Sequence, residues 1–600
     1  MMERVINRRD LSFQLYDVLD VASLSAYPRF SEHDKASYEA VIDAAERLAM
    51  DKFADHAHKA DENEPQYENG RVVMIPEVKE ALSHYLAGGF HLAHRDESEG
   101  GMQLPLVISQ AIAAIFTGAN ASTTAYPFLT IAAANLLSAY ASDDQKEQFL
   151  KPMLEGRFFG TMCLSEPQAG SSLADIRTKA TPLSDGSYAI KGTKMWISAG
   201  DHDLAENIVH LVLAKIPGGP EGVKGISLFI VPKYQVDHEG RVGESNDVAL
   251  AGLNHKMGYR GTTNCMLNFG ENDACRGYLV GVVHHGLGYM FHMMNEARIG
   301  VGLGATMMGY AGYLASLDYA KQRPQGRPVD AKDPASPPVP IIAHADVRRM
   351  LLAQKSYVEG ALSLCLYCAR LLDEAQQTED ADTKKRNLLL LDLLTPIAKA
   401  WPSEFCLEAN KLGIQVLGGY GYTRDYPLER LYRDNRLNPI HEGTNGIQSL
   451  DLLGRKVMAE KGLAFRLMME RIGDAIGEAK AHPVLEEQVA AMQGAVDLLS
   501  RVTVKLVTAA HEGKTEAFLA NSHEYLLLMG HVVMAWMWLR QATVAAAKIT
   551  DAVGDDRSFF AGKLMAARYF FIHELPKTGP QAALLASLDT TVLDMPNEGF

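Results

Sequence analysis

The chain has 600 residues, 47% hydrophobic and 22% charged, the balance of a folded globular protein large enough for several cores. Its formal net charge of −15 argues against a nucleic-acid or anionic-membrane surface as the main partner, while leaving room for a local basic pocket. Six sparse, irregularly spaced cysteines fit a reduced, cytoplasmic setting rather than a disulfide framework.

The N-terminal "MMERVINRRDLSFQLYDVLD" has basic residues but no apolar run after them, so no signal peptide is expected. From about Phe30 to Glu155 the pattern is helical. "SYEAVIDAAERLAMDKFADHA" has apolar residues at three-to-four spacing, and "DDQKEQFLKPMLEG" has an acidic start and a glycine stop. The texture changes near Gly160. "ENIVHLVLAKI", "KGISLFIVPKY" and "TNCMLNFG" read as strands, and Asp185-Gly186 within "LSDGSYAIKGTKMWISAG" is a hairpin signal. Helical periodicity returns from Tyr289 and holds to about Glu460, broken by the proline-rich "RPQGRPVDAKDPASPPVP". A last helical block contains the strongly apolar "YLLLMGHVVMAWMWLR", expected as a buried helix or a subunit contact. The order is α, β, α, then a further α block, without βαβ alternation. The expected fold is a multidomain α+β protein. It has an N-terminal α-helical domain (1–160), a middle antiparallel β domain (161–283), a C-terminal α-helical bundle (284–460) and an additional C-terminal helical domain (461–600).

Several features have a structural reading. "IGVGLGATMMGYAGYLASL" is long enough to span a bilayer, but half of it is small residues, which favours a buried, closely packed helix and no transmembrane segment. Its "GVGLGATMMG" is no dinucleotide fingerprint, because the residues before it are already helical in pattern. Cys365 and Cys368 of "CLYC" share a helix face and read as structural thiols. The histidines of "HHGLGYMFH" match no metal-ligand spacing, and no metal is expected.

"MCLSEPQAGSS" breaks from a strand into polar and glycine-rich backbone, with hydroxyls at Ser165, Ser171 and Ser172 and room for a ligand at Ala169 and Gly170. "KMWIS" follows, with Trp196 and Ser198 two residues apart and so on one face of a strand. An aromatic plane beside a hydroxyl suits a flat heteroaromatic ring. These two stretches, then "NEARIG", "YAKQRPQGR", "IQVLGGYGYTRDYPLERLYRD" and "IHEGTNGIQ", occur in the order and approximate spacing of the acyl-CoA dehydrogenases. The chain resembles that family from roughly Met162 to Leu453. Its length resembles a longer branch that includes the very-long-chain enzymes and the bacterial 3-methylmercaptopropionyl-CoA dehydrogenases.

The resemblance implies FAD as cofactor, an acyl-CoA substrate, electron-transferring flavoprotein as electron acceptor, and a homodimer. It implies that Met162, Leu164 and Ser165 contact the isoalloxazine, with Trp196 walling one side and Ser198 bonding the ring edge. Ser171 would lie along the pantetheine path, and Asn295 and Arg298 match substrate-binding positions. Arg323 would reach the FAD diphosphate across the dimer, Gln415, Gly418 and Gly419 would hold the adenosine side, and Thr444 would contact the flavin. Glu442 occupies the position of the base. A carboxylate within hydrogen-bond reach can take the proton α to a thioester, while Gly443 lets the thioester lie close to the backbone, where amide N–H groups can face the developing oxyanion. The implied activity is α,β-dehydrogenation of a saturated acyl-CoA to the trans-2-enoyl-CoA, as in fatty acid β-oxidation.

Some family members place the acid on the "NEAR" helix, at the position of Ala297; Glu296 is its neighbour, about 100° away round the helix. The sequence departs from the family in His441, where an aromatic is usual, in Ser172, where an Asp is common, in the "RPQGR" loop, which lacks an aromatic, and in Gly446. An acyl-CoA oxidase would use the same site and give electrons to oxygen. A non-enzymatic interaction protein on this fold would tolerate loss of Glu442 and Trp196, and both are present.

Overall fold

Where the sequence texture changes near Gly160, the chain enters an eight-stranded sheet. The computed structural model describes residues 4–330, 333 and 335–600, without the side chains of His292 and Asn295. The Asp185-Gly186 turn forms as expected. Asp185 Oδ1 accepts from the Ser187 amide at 3.0 Å and from its hydroxyl at 2.6 Å, and Gly186 has φ +85°. That turn pairs Lys179–Pro182 antiparallel with Tyr188–Ser198. Asn207–Lys215, Ile226–Pro232 and Asn264–Phe269 are the three strands legible as apolar runs.

The sheet is antiparallel at most of its pairings. Phe158–Cys163 departs from that rule and runs parallel to Asn207–Lys215, from Phe158 opposite Asn207 to Cys163 opposite Val212. All six of its residues are buried, as expected of a strand covered on both faces, which shows no in–out alternation. A second departure lies in the stretch read as helical. Gln66–Glu68 and Arg71–Val73 form a hairpin across Asn69-Gly70, whose φ values are +50° and +79°. Asn-Gly is the dipeptide that a type I′ turn favours, so "ENG" carried the signal.

The chain divides into two compact units. One holds the residues through Tyr38, Pro105–Ala114 and Arg298–Phe600; the other holds Glu39–Leu104 and Ile115–Ala297. The first is helical. "GVGLGATMMG" lies in mid-helix, within Gly286–Gln322, and its glycines are packing contacts. A Cβ on Gly302 would overlap the Ala398 carbonyl, and one on Gly309 would lie 2.8 Å from Cys406 Cβ. Pro402, four residues after Ala398 within Ala381–Leu417, has no N–H to give that carbonyl. Cys365 and Cys368 are buried in Ala345–Gln377, and burial pushes the Cys365 thiol up to about 12. "YLLLMGHVVMAWMWLR" is the middle of Ser522–Lys548, with Trp536 2% and Trp538 0% exposed inside the unit.

Among the described residues, the helix with the length and hydropathy of a membrane span is Leu106–Tyr140 rather than the glycine-rich segment; 72% of its most apolar window is buried within the protein. Asn120 interrupts it with a non-helical backbone, φ −159°. Asn120 Oδ1 accepts from the Thr123 amide at 3.1 Å there, the local bonding that lets asparagine replace a helical turn.

The first unit is pinned by a buried charge cluster that joins both ends of the sequence. Lys563 Nζ is hydrogen-bonded to Asp10, lies 2.8 Å from Glu359 Oε2 and 2.9 Å from Gln541 Oε1, and is fully buried. Lys355 pairs with the other Glu359 oxygen, and the Tyr310 hydroxyl donates to Asp10 Oδ2 at 2.8 Å. Two carboxylates thus face two ammonium groups, and every carboxylate oxygen has a partner. Removing one member leaves a buried charge uncompensated. Lys563→Met is therefore expected to destabilise this unit by about 3–5 kcal/mol. Adding Asp10→Asn should restore part of the loss, read as thermal unfolding of the two variants against the unchanged protein.

Candidate active site

Glu442 stands on a turn that an L-residue rarely adopts. Its φ is +54° and that of Gly443 is +79°, two left-handed residues in succession. Three bonds hold the turn. The Ile440 amide donates to Leu437 O at 2.8 Å, the Asn445 amide to Pro439 O at 3.0 Å, and Gln448 Nε2 to Glu442 O at 3.1 Å. A Cβ on Gly443 would lie 2.6 Å from Gln448 Nε2. The glycine is thus required first by its backbone and by the Gln448 clamp. Thr444 ends the turn as a helix cap, its hydroxyl accepting from the Ile447 amide at 3.2 Å at the start of Asn445–Asp451.

Two cations flank this carboxyl group. Arg298, 3% exposed, pairs with Asp451 Oδ2 at 3.0 Å, and among the described residues its Nε has no hydrogen-bond partner. Asp451 is held in turn by Arg455 at 2.7 Å. Lys399, fully buried on Ala381–Leu417, donates to Asn445 Oδ1 at 2.9 Å, and Asn445 Nδ2 donates to Glu404 Oε1 at 2.7 Å. Burial pushes Lys399 down to about 7, against the pull of Glu442 and Glu404. Burial raises the Glu442 carboxyl above its ordinary value, with Arg298 and then Lys399 drawing it back. A carboxylate raised in this way is a stronger base when ionised.

The other unit builds a second candidate surface. Lys194 Nζ, fully buried, donates to Glu166 Oε1 and to Leu164 O, both at 2.9 Å. Glu166 also accepts from the Arg177 amide at 2.7 Å, the Thr178 amide at 3.0 Å and the Thr178 hydroxyl at 2.6 Å. Burial pushes this carboxyl up, but Lys194, Thr178 and the Arg177 amide outweigh it and hold it at about 2. "LSEPQ" is thereby tied to the Tyr188–Ser198 strand, and the Met195 amide donates to Ser165 O at 3.0 Å. Met162 is 9% exposed and belongs to the apolar core under this loop, with Leu164 packed against it.

That strand then bulges. Ile197 faces Cys265 and Lys194 faces Leu267, so Met195 and Trp196 together oppose Met266 alone. Trp196 carries the strain, with φ +66°, and is 60% exposed. Trp196 and Ser198 flank the buried Ile197, which keeps them on one face as the spacing implied. The Ser198 hydroxyl accepts from Asn264 Nδ2 at 3.3 Å. An exposed indole held in a disfavoured backbone, with a hydroxyl beside it, is a surface shaped for a planar ring. Ser171 is exposed, and Ser172 donates to Asp175 Oδ2 at 2.7 Å.

The remaining expected positions are more open. Arg323 is exposed at the end of Gly286–Gln322, its guanidinium 5.7 Å from the Tyr420 ring centroid. Gln415 and Gly419 are exposed, and Gly418 turns the chain with φ +61° at the end of Ala381–Leu417. The side chain of Asn295 lies outside the described residues. Glu296 accepts from Asn135 Nδ2 at 2.9 Å through both oxygens, within the second unit. Among the described residues no group of three His, Cys, Asp or Glu could hold a metal ion. The sequence reading missed Lys399, Asn445 and Gln448. Lys399 had a signal, as the one charge in the apolar run "LLTPIAKAW".

Comparison with known proteins covers nearly the whole chain. Three family models match in order: the acyl-CoA dehydrogenase N-terminal domain over residues 35–157, the middle domain over 161–271 and the C-terminal domain over 284–458. A fourth, described as acetyl-CoA dehydrogenase C-terminal like, matches 468–596. The 3-methylmercaptopropionyl-CoA dehydrogenase of Ruegeria pomeroyi is 36% identical over 94% of this chain and 94% of its own. The broad-specificity linear acyl-CoA dehydrogenase FadE5 of Mycobacterium tuberculosis is 34% identical over 99% of both. Among solved structures, an acyl-CoA dehydrogenase complexed with FAD from Bacillus anthracis has the same fold, with TM-score 0.73 at 19% identity, covering 94% of this chain and 90% of that one.

Lys194 offers a direct test of the second surface. Lys194→Met leaves Glu166 buried without its cation, so burial raises that carboxyl and its ionised form becomes costly. In the unchanged protein the depressed Glu166 stabilises above its unfolded value of about 4.5, a contribution lost only as pH falls toward about 2. The variant should therefore lose FAD and melt earlier, with the deficit larger at pH 8 than at pH 5. Equal deficits at the two pH values would contradict this account.

Proposed function

Because the chain belongs to the acyl-CoA dehydrogenase family and is a flavin-dependent oxidoreductase acting on acyl-CoA, we propose that it converts a saturated acyl-CoA thioester to the trans-2-enoyl-CoA in fatty acid β-oxidation, with Glu442 as the base. The observation that carries this reading is the half-buried carboxyl of Glu442, raised by its surroundings and set on a left-handed turn that three hydrogen bonds hold. Ionised, it takes the proton from the α carbon at its own carboxylate oxygen. Arg298 and Lys399 limit the cost of that negative charge while their own hydrogen bonds go to Asp451 and Asn445. FAD supplies the chemistry of accepting a hydride from the β carbon.

Trp196 and Ser198 suit a flavin ring, with Leu164 and Ser165 in the loop that Glu166 and Lys194 anchor and Met162 on the strand before it. Arg323, Gln415, Gly418 and Gly419 would take the diphosphate and adenosine end, Arg323 across a homodimer. Ser171, Asn295 and Gly443 would take the CoA ester. Electron-transferring flavoprotein is the acceptor this reading implies. The six free cysteines, all buried, suit a reduced cytoplasmic setting. The Ruegeria relative favours a second reading, a 3-methylmercaptopropionyl-CoA substrate, with the same base and flavin.

Anaerobic stopped-flow bleaching of the flavin tests the base. Glu442→Gln keeps the shape, so FAD and acyl-CoA should still bind, and reduction should slow by roughly 10²–10⁴-fold. Glu296→Gln should leave reduction nearly intact. In the unchanged enzyme the rate should fall as pH drops through a value above the ordinary 4.5 of a glutamate, because Glu442 must be ionised to act. Normal reduction by Glu442→Gln would remove Glu442 from the mechanism. A panel of linear acyl-CoAs and 3-methylmercaptopropionyl-CoA with a dye acceptor separates the two substrates, and peroxide formation in air would mark an oxidase instead.

A further inference from the structure

The residue before the base is a histidine, and its ring ends a line of buried amides. At the inner end of that line stand two backbone carbonyls, which can only accept. Asn410 Nδ2 donates to Met308 O at 2.9 Å, and Asn435 Nδ2 donates to Ala305 O at 3.1 Å. Those two bonds fix which way each amide faces. Asn435 Nδ2 also donates to Asn410 Oδ1 at 2.7 Å, and Asn438 Nδ2 donates to Asn435 Oδ1 at 2.8 Å. Asn438 is left with its oxygen toward His441 Nε2, at 3.0 Å. An amide oxygen only accepts, so the ring must donate there, and His441 carries its proton on Nε2. Asn410 and Asn435 are 0% exposed and Asn438 1%. Gly312 leaves the space that the Asn410 amide fills, since a Cβ there would lie 2.5 Å from Nδ2.

We propose that His441 is a positioning residue for Glu442, locked by the Asn438–Asn435–Asn410 line as a neutral Nε2–H imidazole that anchors the turn of the base. The inference rests on the reading of Glu442 as the base. Gln448 clamps the turn from its far side, and the imidazole is the matching anchor on its near side. Neutrality matters because an imidazolium next to Glu442 would stabilise the carboxylate and weaken it as a base. The charged groups around the turn are Lys399 from Ala381–Leu417, with Glu404 beyond it, Arg298 from Gly286–Gln322, and Glu442 itself. Burial, reinforced by the Lys399 ammonium, holds the ring down to about 3. A phenyl ring at this position would be neutral too, but it could not reach into the amide line with a donor.

The test is anaerobic flavin reduction by saturating acyl-CoA, measured on the holoenzyme between about pH 5 and pH 9. His441→Phe removes the donor at similar size. It should keep FAD and slow reduction at least about tenfold, short of the roughly 10²-fold of a one-ångström misplacement. His441→Gln restores an amide donor and should recover most of that loss. Asn438→Asp sets a carboxylate against the ring, which stabilises the imidazolium. An ionisation beyond those of Glu442 and Lys399 should then appear in the pH profile, and it should vanish in Asn438→Asp combined with His441→Phe. The proposal is overturned if His441→Phe reduces at the unchanged rate, if His441→Gln is no faster than His441→Phe, or if Asn438→Asp keeps the pH profile of the unchanged enzyme. Glu442→Gln in the same series separates the two readings. If it reduces normally, the base assignment fails; if it is slow while His441→Phe is fast, only the role of His441 fails.

Discussion

A carboxylate inside protein must stay ionisable without being neutralised by a partner, and the arrangement around Glu442 follows from that constraint. A full ion pair would lower its basicity, and complete burial without cations would keep it protonated at any useful pH. Here both cations are near, but each gives a hydrogen bond to another group: Arg298 to Asp451, and Lys399 to Asn445. Their fields reach Glu442 while their donors do not bind it. The result is a carboxyl group raised above its ordinary value by burial and drawn back by the two cations.

Holding such a group requires stiff backbone, and that stiffness comes from helix packing. Lys399 lies on the same stretch as Ala398, whose carbonyl faces Gly302 closely enough to exclude a side chain. Asn410, eleven residues further on, reaches back to Met308. The glycines of Gly286–Gln322 thus let the Ala381–Leu417 helix approach, and that approach sets both the ammonium and the amide line beside the turn. The same small residues that mimic a nucleotide motif in sequence serve the site by their absence of side chains.

Much of the fold was legible because its signals are local. Asp185-Gly186, the three apolar strands and the glycine-rich helix each declare themselves within a dozen residues. The Asn69-Gly70 hairpin was equally local and was lost inside a helical stretch. The parallel pairing of Phe158–Cys163 with Asn207–Lys215 was not legible, since a buried strand reads alike in either direction. At the candidate site, Glu442, Gly443 and Trp196 stood out through motif and composition. The bulge at Trp196 and the left-handed φ at Glu442 did not, because backbone strain leaves no mark on residue type when the residue is not glycine. Asn435, Asn438 and His441 recur at a spacing of three in "NRLNPIH", a pattern whose meaning appears only when Asn410 arrives from another helix.

Two clusters in the helical unit use the same chemistry to opposite ends. Around Lys563, both oxygens of Asp10 and both of Glu359 are bonded, and the lysine donates to three acceptors. Around Glu442, a buried lysine and a buried arginine again meet a carboxylate, but among the described residues the Arg298 Nε and the Gln448 Oε1 have no partner. With every carboxylate oxygen bonded, a buried ionic network acts as a staple, because any change of protonation would break bonds on every side. A carboxyl group left outside such bonding can change its protonation without breaking it, as proton transfer requires. Both clusters draw on residues far apart in sequence, so composition cannot distinguish them. The difference lies in how the carboxylate oxygens are bonded once the helices have packed, which suits the turn at Glu442 to the reactive role proposed for it and Lys563 to a structural one.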